Sequence, residues 1–253
     1  MNKRCHHSYA ALVMIAFFVF GGNEKVPAQA VVSNVRILFH HMVGDQQLEF
    51  ETKYRNTLGE QFTVRKFRYY ISNIEFSDTV SGKFYRAKDQ YFLVNEAEPG
   101  SKIIALELPA GVYNKVSFLV GVDSLKNVSG AQSGALDPLN DMFWTWKSGY
   151  VMAKLEGQSP ASTLPHRVFE YHIGGFGGVH NVLGRVALTL PVTVNIPAQK
   201  MEDVQIAADV GKWFSGTYQL SIARYPACTS VGVLAKQFSE NYLRMFAIQS
   251  VAP

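Results

Sequence analysis

The sequence predicts an all-β fold, an antiparallel β-sandwich closed by a short C-terminal amphipathic helix. Three observations predict it. From Val31 to about Ile222, apolar and polar residues alternate in short runs rich in β-branched and aromatic types, the period of strands with one buried face. Gly, Pro, Asn and Asp fall between those runs, where turns need them. Only the last segment changes period: Val233, Leu234, Phe238, Tyr242, Met245 and Phe246 recur at spacings of one, three and four, the apolar stripe of a helix.

Taken in order, the chain begins with Lys3 and Arg4, then a continuous apolar run from Tyr9 to Phe20, and then Ala28-Gln-Ala30. That pattern predicts a secretory signal peptide over 1–30, cleaved after Ala30. Cys5 precedes the apolar run, so the acylated cysteine of a lipoprotein is not where it would have to be. No later segment approaches the ~20 apolar residues that span a bilayer. The expectation is a free periplasmic protein with no membrane insertion, whose residues 31–253 form one domain. The first strand is expected over 31–41, with Val31, Val35, Ile37 and Phe39 on one face and His41 at the end of that row; His40 points the other way with Asn34 and Arg36. Further strands are expected over 47–52, 61–78, 84–94, 101–107, 114–122, 142–156, 166–174, 182–196, 203–209 and 217–224. The helix is expected over 231–246, capped by Thr229 or Ser230 and packed by its apolar stripe on the sheet or an end of the sandwich.

Composition narrows the function classes. After removal of the signal, 21 basic residues face 19 acidic ones, too even a balance for a nucleic-acid partner, which would need a concentrated basic face. Cys228 is the single cysteine left, so no internal disulfide braces the fold and a buried, apolar role is expected for it. A core must do that work, and about 220 residues can bury roughly 70% of the unfolded surface.

Motifs for catalysis are absent. The five remaining histidines, His40, His41, His166, His172 and His180, lack the spacing of a zinc hydrolase; there is no G-x-S-x-G elbow, and Gly174-Gly-Phe-Gly-Gly178 opens onto a strand rather than a phosphate-binding helix. The chain is therefore expected not to be an enzyme, a hydrolase with an unmarked site being the weakest reading. A soft-metal site needs less, since copper is held by imidazole without cysteine pairs. His41 ends a core-facing row and His172 ends a strand just before Gly174-Gly175, while a lone histidine of either kind is more often simply hydrogen-bonded. The stretch "DMFWTWKSGY" at 141–150 adds Trp144 and Trp146, which share a face if the segment is extended. A carbohydrate-binding or adhesion module stacking ligands on Trp144, Trp146 or Tyr150 would show the same aromatics and is the rival reading.

The stretches "FHHMVG" at 39–44, "YRNTLGEQFTVRKFRYYISNIEF" at 54–76, "LVGVDSLKNVSGAQSGALDPLNDMFWTWKSGYVMAKLEG" at 119–157, "FEYHIGGF" at 169–176, "IAADVGKWF" at 206–214 and the closing helix run in order over nearly the whole mature chain. With them the chain resembles the MbnP-like copper-binding proteins, exported partners of diheme peroxidases, in a branch without the family's four cysteines. The resemblance implies a periplasmic β-sandwich that binds copper for acquisition or storage. It also implies a diheme cytochrome c peroxidase-like partner that oxidises one tryptophan to kynurenine, whose aniline nitrogen joins histidines at the metal. Carried onto this sequence, the tryptophan is Trp144 or Trp146, the choice being open, and the histidines are His41 and His172.

Overall fold

The computed structural model describes residues 32–130, 132–145, 149–196 and 201–252; the expected signal peptide and Trp146 lie outside the described residues. In chain order the strands are β1 (Val32–Val43), β2 (Gln46–Gln47), β3 (Tyr54–Arg55), β4 (Gln61–Ser77), β5 (Phe84–Arg86), β6 (Tyr91–Asn95), β7 (Ile103–Pro109), β8 (Gly111–Val120), β9 (Phe143–Thr145), β10 (Gly149–Gln158), β11 (Val168–Gly174), β12 (Gly184–Ile196), β13 (Met201–Asp209), β14 (Ala227–Cys228) and β15 (Phe246–Ala252), with helices α1 (Ser124–Asn127) and α2 (Val233–Tyr242). Among the described residues they form a five-stranded sheet around β15-β13-β1 and a ten-stranded sheet with the path β12-β8-β4-β10-β11-β14. This is the expected sandwich. Most pairs are antiparallel, but β1 runs parallel to β13, and β11 parallel to β14.

The two sheets meet through an aromatic core. Val35, Ile37 and Phe39 of β1 are buried, as the alternation predicts, against Phe67 and Tyr69 of β4 and Phe118 of β8. Phe39 sits edge-on to Tyr69 and to Phe118, each at 5.9 Å, and Phe118 meets Phe246 at 5.1 Å, the T-shaped geometry that aromatic quadrupoles favour.

A bulge in β4 decides which residues face this core. Opposite β10 the register runs Glu156↔Lys66 and then Gly157↔Val64, which leaves Arg65 as an extra residue. Phe62 and Val64 are buried before it and Phe67 and Tyr69 after it, so the bulge shifts the inward set by one residue. Lys66, Arg68 and Tyr70 are thereby aimed at the outer face. The strand also needs Gly157 there, since a Cβ on it would lie 1.9 Å from the Thr63 carbonyl oxygen.

Five expected elements differ. The run at 47–52 is a strand only at its start, in β2, and the run at 84–94 is two strands, β5 and β6, parted by a turn. The run at 142–156 is two strands, β9 and β10, paired Thr145↔Gly149 and Phe143↔Tyr150. Residues 217–224 form no strand beyond an isolated Ser215↔Gln219 bridge, because the chain turns there to let the Glu60 carboxylate accept the Ile222 and Ala223 N–H groups. The helix is shorter than 231–246: Gly232 precedes it without a side-chain cap, and the apolar residues Met245 and Phe246 belong to the turn and strand that follow. The helix does pack on the sandwich, with Phe238 4.3 Å from Tyr171 and Tyr242 4.9 Å from Trp213. Cys228 is buried, as expected.

Candidate functional site

The structure places His41 inside the sandwich and His172 outside it. On β1, His41 opposes the buried Ala208 of β13 and packs on Phe67 and Tyr69, with ring centroids 4.6 and 5.5 Å away. Its side chain is 0% exposed. On β11, His172 opposes Lys154 of β10, and the neighbouring Tyr171 and Ile173 fill the core. The alternation of a strand therefore turns His172 to the outer face of the ten-stranded sheet, while His41 approaches its inner face. One site built on both histidines, as carried over from the resemblance, is not what the geometry assembles.

The His41 ring is fully engaged. Nδ1 lies 2.7 Å from Glu96 Oε2 and Nε2 3.0 Å from the Tyr69 hydroxyl. An ionised carboxylate can only accept, so Nδ1 carries the proton and donates to Glu96, and Nε2 accepts from the Tyr69 O–H. Burial lowers the pKa of His41 against the opposing pull of Glu96, which keeps the ring neutral. Burial also works against ionised Glu96, but the hydrogen bonds from His41 and Lys102 outweigh it and hold the carboxyl below its usual range. Lys102 Nζ closes the group, 2.9 Å from the same Oε2. No ring nitrogen is left to take a metal without breaking this chain.

His172 is engaged at one nitrogen. Nε2 lies 2.8 Å from Glu156 Oε1, a diagonal cross-strand contact between β11 and β10. The imidazole side chain is 21% exposed. Glu156 is shared with Lys66 at 3.3 Å; Lys66 also reaches Asp141 at 3.1 Å, and Asp141 pairs with the buried Lys154 at 3.0 Å. Burial would raise the pKa values of Glu156 and Asp141, but their bonds to His172, Lys66 and Lys154 bring both down. The chain over 134–141 folds across this face, anchored by the Tyr70 hydroxyl donating to the Ala135 carbonyl and the Tyr150 hydroxyl to that of Leu136.

Trp144 joins His172 on this side. A Cβ built on Gly174 would lie 2.6 Å from Trp144 Cζ3, so the indole rests on the bare backbone of Gly174, two residues along β11 from His172 and on the same face. Of the two candidate tryptophans, Trp144 is thus beside one predicted histidine and remote from the face that holds the other. Tyr150, offered to a stacking ligand by the rival reading, is 0% exposed, and Phe143 covers it at 4.9 Å. Stacking on Tyr150 is excluded by that burial.

Glu96, Glu156 and Tyr69 complete these two environments, and sequence reasoning singled out none of them; Gly174 it marked only as a turn after His172. The signal for Glu156 is present, since Lys154 and Glu156 alternate with the apolar Ala153 and Leu155; its pairing with His172 needs the strand register. Among the described residues, no group of three His, Cys, Asp or Glu is arranged to hold a metal ion.

The family model of MbnP matches residues 32–230. The chain belongs to the MbnP family. Among solved structures, MbnP from Methylosinus trichosporium is similar with a TM-score of 0.54, covering 87% of this chain and 98% of that one at 15% identity, a likeness of fold. A comparison with curated proteins finds no match. Within the MbnP fold as this chain builds it, the matched span includes both histidine environments and the Trp144 strand. Two short elements at its C-terminal side, α2 and β15, lie beyond the match.

Proposed function

We propose that this member of the MbnP family is an exported, periplasmic copper-binding protein that acquires or stores the metal and is not an enzyme. Its metal site is the outer face of the ten-stranded sheet, with His172 as the imidazole ligand and Trp144 as the residue that a diheme cytochrome c peroxidase-like partner oxidises to kynurenine. The observation that carries the reading is the seat of Trp144 on Gly174, beside His172 on one face.

The donor chemistry supports it. Glu156 accepts the Nε2–H of His172, which fixes the tautomer and leaves the Nδ1 lone pair for a metal, the carboxylate–imidazole arrangement that orients metal-binding histidines. One imidazole with its carboxylate is too few donors for a tight copper site. An intact indole adds none, because its N–H nitrogen offers no lone pair. Opening the ring to an aryl amine supplies the missing nitrogen where Trp144 already lies. His41 takes no part, since both its nitrogens are bonded and its ring is dry.

The test is peptide mapping by mass spectrometry of protein produced with and without the partner, followed by copper titration of each form. Ring opening at Trp144 with the partner, and copper bound tightly only by that form, is the expected result. An intact Trp144 after exposure to active partner and oxidant would remove the oxidation half, and copper bound equally by a His172→Ala variant would remove the ligand.

A further inference from the structure

The interior holds a chemistry that copper binding does not use. Most buried tyrosines donate their hydroxyl to a backbone carbonyl: Tyr70 to Ala135, Tyr150 to Leu136, Tyr171 to Tyr225. Among the described residues the Tyr242 hydroxyl is buried without a partner. Tyr69 differs. Its hydroxyl donates to the Nε2 of His41, a neutral imidazole whose other nitrogen is tied to an ionised carboxylate.

That difference decides what happens when an electron is removed. A phenol that loses an electron becomes strongly acidic and must give up its proton at once, or the charge stays in a medium that penalises it. A carbonyl oxygen cannot take that proton, whereas an imidazole can, and Glu96 at 2.7 Å with Lys102 behind it stabilises the imidazolium that forms. Tyr69 also belongs to a continuous aromatic cluster. Its ring is 5.3 Å from Phe67, which is 6.3 Å from Trp213, which in turn is 4.9 Å from Tyr242. Among the described residues Trp213 Nε1 is buried with no partner, so an oxidised Trp213 lacks there the proton acceptor that Tyr69 has.

We propose that Tyr69 is a redox-active tyrosine, a one-electron donor whose phenolic proton passes to His41 within the Tyr69–His41–Glu96 chain. The oxidant is a high-potential one-electron acceptor, such as a ferryl haem or a photogenerated ruthenium(III) complex, and it is reduced by one electron. Tyr69 loses that electron and its O–H bond breaks; the proton forms an N–H bond at Nε2 of His41. The products are a neutral tyrosyl radical and an imidazolium paired with Glu96, and return of one electron restores both groups. The protein interior thus has a defined place to hold one oxidising equivalent. This holds whether or not the outer face binds copper.

The test is flash-quench oxidation of the full mature protein with tris(bipyridine)ruthenium and a sacrificial acceptor, with ascorbate present to discharge surface radicals, read by transient absorption and freeze-quench electron paramagnetic resonance. The expected result is a neutral tyrosyl radical that forms more slowly in deuterium oxide, vanishes in Tyr69→Phe and persists in Tyr171→Phe. In His41→Gln its rate of formation falls roughly a hundredfold, the low end of what a positioned base contributes to proton transfer. Should His41→Gln fail to fold, Glu96→Gln, at the margin of the core, reads the same chain and also slows the radical. A tyrosyl signal undiminished in Tyr69→Phe, or a rate unchanged in folded His41→Gln or in Glu96→Gln, overturns the proposal.

Discussion

His41 and His172 each hydrogen-bond a glutamate at almost the same distance, 2.7 and 2.8 Å, from opposite faces of the ten-stranded sheet. What separates them is water. The His41 pair lies in an aromatic shell, with the imidazole 0% exposed and both nitrogens bonded. The His172 pair lies under a loop edge at 21 and 22% exposure, with Nε2 on the Glu156 carboxylate. Inside, removing any member strands a desolvated polar group, so the trio is a lock. Outside, the same chemistry is solvated and loosely held, so a ligand can compete for it.

Stability separates the two histidines most widely. His41→Ala leaves Glu96 with Lys102 alone and strands the Tyr69 hydroxyl beside a cavity, and is expected to cost about 3–5 kcal/mol, from a large-to-small core substitution together with an unsatisfied buried polar group. His172→Ala removes a part-exposed pair and is expected to cost less than about 1 kcal/mol. Urea denaturation of both variants measures the gap, and equal losses would erase the distinction between the two faces.

Gly174→Ala probes the seat of Trp144. A methyl 2.6 Å from Cζ3 and 2.9 Å from the Tyr150 carbonyl oxygen forces the indole off β11, for an expected loss of about 1–3 kcal/mol. Tryptophan fluorescence reports the displacement as a red shift. An unchanged spectrum would mean the ring does not rest there.

Acid separates the faces by pH. The folded pKa of His41 is depressed, so the unfolded chain binds more protons, and stability falls as pH drops below the ordinary histidine value of 6.5 toward the lower folded value. Glu96, Glu156 and Asp141 are also depressed, but as acids they contribute stability that is lost only below the ordinary carboxylate range, near 4.5 for the glutamates. Urea midpoints against pH should therefore decline in two stages, and His41→Gln should lack the upper one. Smallest of all, Glu156→Gln should change stability by about 1 kcal/mol or less, while freeing Lys66 to pair with Asp141 alone.

The fold was legible in the chain because alternation reports burial directly: Val35, Ile37, Phe39 and His41 are inward where the period says they should be. The site was legible only residue by residue. That His41 ends a core row and that His172 alternates with core residues were both visible, yet which sheet face each row meets depends on the Arg65 bulge and on the pairing of β10 with β11, neither of which a period encodes. Glu96 sits just past the end of β6, where no alternation marks it. The final strand β15 was masked because Phe246 extends the spacing of the helix before it, although it pairs with β13 instead.

In the proposed copper site the outer histidine, and not the inner one, is the metal ligand. Copper titration of partner-oxidised protein, comparing His172→Ala with Tyr69→Phe and with His41→Gln where it folds, tests it most directly. His172→Ala is expected to lose tight binding, while the two inner variants keep it unchanged. Retained binding in His172→Ala together with loss in folded His41→Gln would contradict it.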